Sequence, residues 1–307
     1  DPEGMLELQD QLRLIRVACS LGAHTVRLTG GEPLLSDRLE PLLSSIALDR
    51  PAGLKELALT TNGVLLSPER ALRLKCAGLD RITISLDGAD AASLARMAGL
   101  HGGAKAGQSL LDQVLSALEA ARSAGFDPSQ GALKLNAVIQ KGRNDDQLIA
   151  LARLARDRGV ELRLIEYMDV GSRNGWSLAQ VMPALEMVQR VASHWPLDPV
   201  GRSSSSTTSR WRYRDGAGHL GVIASISAPF CGDCNRIRVT ADGQVFTCLF
   251  ASQGVDLRPY LRAGEPETQL RERLSDLWTR RSDRFSEERH LRGDVDKPHA
   301  EMAYLGG

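Results

Sequence analysis

The chain is poor in several residue classes, and each shortage excludes something. Five cysteines in 307 residues are too few and too unevenly placed for the disulfide framework of a secreted protein. No apolar run approaches the length that spans a bilayer, and "DPEGMLELQDQLRLIR" carries charge where a signal peptide has its apolar stretch. These absences read as a cytoplasmic protein with no membrane contact. There is no excess of either charge: Lys plus Arg and Asp plus Glu both total 38, which argues against a global nucleic-acid surface and requires any anionic ligand to be met by a local cluster. Against these shortages stand 42% hydrophobic residues, enough at this length for a full core.

Up to about residue 168 the chain alternates helix-period and strand-like stretches. Helical patterns at 6–22, 36–48, 67–78, 109–125 and 145–158 lead into "TVRLTGG", "LKELALTTNG", "DRITISLDG", "GALKLNAVIQ" and "VELRLIEYM". A (βα) repeat of this kind forms a parallel sheet, wound or closed into a barrel, with its active site at the C-terminal strand ends. After residue 195 the character changes, and "GRSSSSTTSRWRYRDGAGHLG" reads as a polar connection followed by a strand. The expected division is therefore a core over 1–195 and a C-terminal region over 196–307.

Three cysteines fall in that region, as Cys231, Cys234 and Cys248, in the spacing C-x2-C-x13-C. "RIRVTADGQVFTC" reads as two strands around an Asp-Gly turn, which returns the third thiol towards the first pair. The spacing fits a zinc ion, joined by a distant His such as His219, and it fits an iron–sulfur cluster with one open position. In a strand leaving Cys234, Arg236 and Arg238 share its face. Two guanidiniums beside an open metal position suit a phosphorylated ligand, whereas on an exposed strand they would only be solvated. Arg27, Lys134 and Arg163 each interrupt an otherwise apolar strand and add to the same charge. Cys19 and Cys76 lie in helical patterns and read as buried, small apolar side chains.

Taken in order, "RLTGGEPLL", "LTTNGVLL", "ITISLDG", "KLNAVIQKGRND", "RLIEYMDVG", "CGDCNRIRVTADGQVFTCLF" and the terminal "GG" resemble the molybdenum cofactor biosynthesis protein A family, the GTP 3′,8-cyclases of the radical S-adenosylmethionine superfamily. The resemblance covers essentially the whole chain. It implies an α/β fold, an incomplete (βα)6 barrel with the cysteine hairpin as a C-terminal appendage. It also implies a lyase with a 4Fe–4S cluster at each mouth. One cluster cleaves S-adenosylmethionine to a 5′-deoxyadenosyl radical. The other, on Cys231, Cys234 and Cys248, binds the guanine of GTP. The radical takes the ribose 3′ hydrogen, and C3′ attacks C8 to give 3′,8-cyclo-7,8-dihydro-GTP.

Residue by residue, Arg27, Thr61, Lys134, Arg163, Arg236 and Arg238 match GTP positions of the family, and Gly31, Ser85 and Met168 match S-adenosylmethionine positions. Gly306 and Gly307 match a tail that enters the active site and supports turnover. One departure stands out: the family's C-x3-C-x2-C, which holds the radical-generating cluster, is absent from these 307 residues. The expectation is a truncated chain that lacks the barrel's first strand and the second cluster and is inactive as it stands. The alternative is an inactive nucleotide-binding barrel with a structural zinc. A homo-oligomer, and docking of the protein that converts the cyclised nucleotide to cyclic pyranopterin, are both left open by the sequence.

Overall fold

A computed structural model describes residues 4–171, 175–204, 206–262, 264–289 and 300–306. The first half alternates as its periodicity predicts. Helices α1 (Leu8–Ser20), α2 (Leu39–Leu48), α3 (Pro68–Cys76), α4 (Ala91–Met97), α5 (Gly103–Ser123) and α6 (Leu148–Asp157) separate strands β1 (Thr25–Leu28), β2 (Glu56–Thr61), β3 (Arg81–Ser85), β4 (Leu133–Ile139) and β5 (Glu161–Glu166). Helix starts follow their caps. The Ser67 side chain accepts from Arg70 N ahead of Pro68 in α3, and Asp90 accepts from Ser93 N in α4. Gly107 lets α5 lie against α4, since a Cβ there would fall 1.8 Å from the Ala91 carbonyl oxygen.

Strands β1 to β5 pair in parallel and in order, and the sheet continues through β8 (His219–Ile223), β7 (Ser209–Tyr213) and β6 (Leu197–Gly201). β8 runs parallel to β5 and is the sixth parallel strand; β7 and β6 are antiparallel. The stretch that read as a polar connection is thus a meander within the main sheet, and the sheet crosses the division expected at residue 195. α7 (Ala184–Ala192) precedes the meander. The hydrophobic core lies between the helices and one face of the sheet. In β4, Leu133, Leu135, Ala137 and Ile139 are buried there, and the alternate residues Lys134, Asn136 and Val138 project from the opposite face.

A small antiparallel sheet, β9 (Arg238–Val239), β10 (Gln244–Phe246) and β11 (Val255–Asp256), carries the cysteine hairpin. The strand expected to leave Cys234 begins only at Arg238. With α8 (Arg258–Leu261) and α9 (Glu267–Thr279) it closes a second core, in which Val245, Leu257, Leu261, Leu270 and Leu274 pack with Leu14 and Val17 of α1. Cys19, on the same helix, belongs to the first core. A final short helix, α10 (Met302–Leu305), ends the described chain. Cys76 departs from expectation: as the last residue of α3 it is exposed. Among the described residues no helix is long and apolar enough to cross a membrane.

Candidate functional site

The polar face of the sheet has two regions. At the C-terminal strand ends, Glu32 organises the turn after β1: Oε1 accepts from Leu34 N (2.9 Å) and Thr61 Oγ1 (2.7 Å), and Oε2 accepts from Asn62 N (2.8 Å). Thr61 also accepts from Gly63 N and is 2% exposed, so its hydroxyl serves this turn. Gly30 adopts φ +154°, and a Cβ on Gly31 would meet nothing within 4 Å, which leaves open backbone. Ser85 ends β3 opposite Asn136, whose Oδ1 is buried with no hydrogen-bond partner. Met168 lies two residues beyond β5. Gly306, at φ +76°, is seated here too: a Cβ on it would lie 2.5 Å from Thr29 Cγ2. Gly307 lies outside the described residues.

The basic residues occupy the N-terminal and middle positions of the strands rather than the ends. Arg27 and Arg81 flank Ala58 in register, Lys134 faces Glu161, and Arg163 faces Gly221, whose other neighbour is Arg210. Some of this charge is paired. Arg81 forks onto Glu56 at 2.8 and 2.9 Å, and Lys134, Arg163 and Arg210 share Glu161. Among the described residues Arg27, Arg236 and Arg238 face no carboxylate. Water reaches Arg27, yet protein encloses it, and that enclosure, with the charges of Arg238, Arg81, Arg236 and Arg163, holds its pKa down to about 10. Thr61 does not join this group; it stands three residues beyond Ala58, at the other end of β2.

The three thiols border the basic group. Cys231 and Cys234 share one turn, with Cys234 N donating to Cys231 O at 3.2 Å, and Cys248 follows β10. Arg236 Nη2 donates to Cys234 Sγ at 2.9 Å, and Arg281 donates to the Cys234 carbonyl. Burial pushes the Cys234 thiol up, but the charge and backbone N–H of Arg236, with Arg281, bring it below its ordinary value. Burial raises the Cys248 thiol. Burial, then Arg236, lowers Arg238 to about 10 despite the opposing influence of Cys234 and Cys248. Arg236 Nη1 and Arg238 Nε are buried without a partner, as donors waiting for an anion would be. Among the described residues no three His, Cys, Asp or Glu side chains converge on one metal-sized point. His219 lies with Arg210 and Glu161, not with the thiols.

This arrangement has close relatives. Residues 1–155 match the Radical SAM superfamily, and residues 160–287 match the family described as Molybdenum Cofactor Synthesis C. The GTP 3′,8-cyclase of Synechococcus sp. strain CC9902 is 89% identical over 307 residues, which is 100% of this chain and 89% of that one. The GTP 3′,8-cyclase of Xanthomonas campestris pv. campestris strain B100 is 43% identical over 302 residues, covering 97% and 84% of the two chains. The chain belongs to the GTP 3′,8-cyclase family. Among solved structures, Streptococcus suis SuiB bound to S-adenosylmethionine shares the fold at a TM-score of 0.56 and 15% identity, over 94% of this chain and 61% of SuiB. Within this GTP 3′,8-cyclase-family chain, sequence reasoning missed Glu161, Arg210, Arg81 and Asn136. Alternation in "KLN" and "ELR" is the signal that could have put Asn136 beside Lys134 and Glu161 beside Arg163 on one face, but only strand register shows what they meet.

Proposed function

We propose that these 307 residues form the GTP-binding part of a GTP 3′,8-cyclase of molybdenum cofactor biosynthesis, and that they do not include the C-x3-C-x2-C that would hold the radical-generating cluster. GTP lies on the basic half of the polar face, and S-adenosylmethionine lies at the C-terminal strand ends. The observation that carries this reading is the set of guanidiniums with no carboxylate, Arg27, Arg236 and Arg238, beside three thiols in a protein of zero net formal charge. Unopposed guanidiniums make strong bidentate contacts with phosphate oxygens. Lys134 and Arg163 supply further cations, while Thr61, with its buried hydroxyl on Glu32, supports the turn at the far end of its strand.

Cys231, Cys234 and Cys248 would hold a 4Fe–4S cluster: the donor set is all thiol, one thiol is made acidic by Arg236, and Arg236 Nη1 and Arg238 Nε beside it are buried donors without a partner. Gly31, Ser85 and Met168 would contact S-adenosylmethionine, with Gly306 closing that end. S-adenosylmethionine, when bound at a reduced cluster, supplies the radical that takes the ribose hydrogen. The residues of this chain hold the triphosphate, orient the base towards the thiols and keep the ribose between the two regions.

The test is anaerobic reconstitution followed by iron, sulfide and zinc analysis and GTP calorimetry. Iron with sulfide, lost in Cys248→Ala while the far-UV spectrum is kept, together with GTP binding, is the expected result. One zinc without sulfide, or no GTP binding, overturns the reading.

A further inference from the structure

Glu161 opens β5 with its side chain only 6% exposed, a costly place for a carboxylate unless cations meet it. Three do. Lys134 Nζ lies 3.6 Å and Arg163 Nε 3.0 Å from Oε1, and Arg210 Nη2 donates to Oε2. Register explains the first two, since Lys134 is directly opposite on β4 and Arg163 is two residues along on the same face. The third crosses a strand, because Arg210 comes from β7 with β8 between it and β5. It can do so because the intervening residue is Gly221. A Cβ there would lie 2.6 Å from Thr208 Cγ2, 3.2 Å from Arg163 Cγ and 3.7 Å from Glu161 Oε1, so a side chain at this position would crowd the cluster.

We propose that Glu161 is a positioning residue of the polyphosphate site, gathering Lys134, Arg163 and Arg210 into one donor surface, with Arg210 a further phosphate contact. The proposal rests on the GTP reading above. Without a shared anion the three cations would repel one another apart; with it, their remaining N–H groups stay together on the polar face. The carboxylate has a second consequence. Burial, followed by the charge of Arg163, brings Lys134 down to about 8, and Glu161 is what opposes that fall. The other groups facing this cluster are Glu56 of β2, Arg81 and Thr83 of β3, Arg212 of β7 and His219 of β8, and of these only Glu56 brings further negative charge.

Glu161→Gln keeps the shape and removes the charge. Lys134 then loses its proton about one pH unit lower. GTP calorimetry across pH 6.5–9 should give diverging curves: at pH 6.5, where Lys134 is charged in both proteins, the variant binds only slightly more weakly through the loosened cluster, and at pH 8 it binds about 5- to 10-fold more weakly. Glu161→Asp should restore the wild-type midpoint. Lys134→Arg in the Glu161→Gln background should flatten the alkaline fall. Competitive acetylation of Lys134 without nucleotide should show the same one-unit shift. Superimposable pH profiles, or weakening by the same factor at every pH, overturn the inference while leaving GTP binding intact. A wild-type chain that binds neither GTP nor inorganic tripolyphosphate overturns the GTP reading and the inference with it.

Discussion

Arg238 sits where enclosure, a neighbouring guanidinium and two thiols act on one side chain, and its Nε has no partner. A donor left in that state gains more from an anionic ligand than a solvated one does. Arg236→Ala and Arg238→Ala should each weaken GTP binding by about 1.5–3 kcal/mol, and unchanged affinity by calorimetry would return both to the role of a solvated edge. Asp87 is a second residue under strain. Its Oδ1 accepts from Val138 N at 2.8 Å, and burial pushes its pKa up to about 6. The folded state therefore binds this proton more tightly than the unfolded one. The associated stability is complete below the unfolded value near 4 and lost as pH rises through about 6. Asp87→Asn, which keeps the acceptor, should raise the unfolding free energy by about 1–2 kcal/mol at pH 7.5 and by little at pH 4. Urea titrations at both values decide it, and destabilisation at pH 7.5 would mean that the charge itself is used.

At the scale of elements, the strands of the repeat were legible because their alternation is strong. "LKLNAVI" sends leucines to the helices and Lys134 and Asn136 to the polar face, so a charge in an apolar strand already marked an inward position. What could not be read was which end of the strand each charge would occupy relative to its neighbours, since stagger between parallel strands is fixed by packing. That is why Thr61 and the basic residues, adjacent in function by resemblance, stand at different ends of the sheet. The meander of β6 to β8 was hidden by its Gly- and Ser-rich composition, and Arg210 with it. The tail's role came from the family resemblance alone, since two terminal glycines by themselves read as a frayed end, and the structure adds a steric reason at the first. Gly306→Ala would place a methyl group 2.5 Å from Thr29 Cγ2 in a positive-φ conformation. It should unseat the tail, leaving GTP affinity unchanged and the helices intact while turnover in the radical-competent enzyme drops at least tenfold. Equal turnover would show that the contact is incidental.

For the whole molecule, α1 ties the parts together, with Cys19 in the sheet's core and Leu14 and Val17 in the core of the cysteine hairpin. The sheet itself ends in two unlike edges. β6 is protected: Val200 is exposed, but Pro199 cannot donate and the register with β7 shifts between Pro199 and Gly201. β1 has neither a proline nor a bulge. Among the described residues it pairs with β2 alone, has regular register and, apart from the charge of Arg27, presents only Thr25 beside the partly buried Val26 and Leu28. An unprotected edge of this kind recruits further strands. A polypeptide consisting only of these 307 residues should therefore self-associate with rising concentration, and it should do so through β1. Thr25→Lys, which puts a charge on that edge, should shift sedimentation-velocity profiles towards monomer, whereas Val200→Lys on β6 should not. If the unsubstituted chain stays monodisperse at high concentration, or if the β6 substitution dissociates it instead, β1 is not the open edge that its pairing implies.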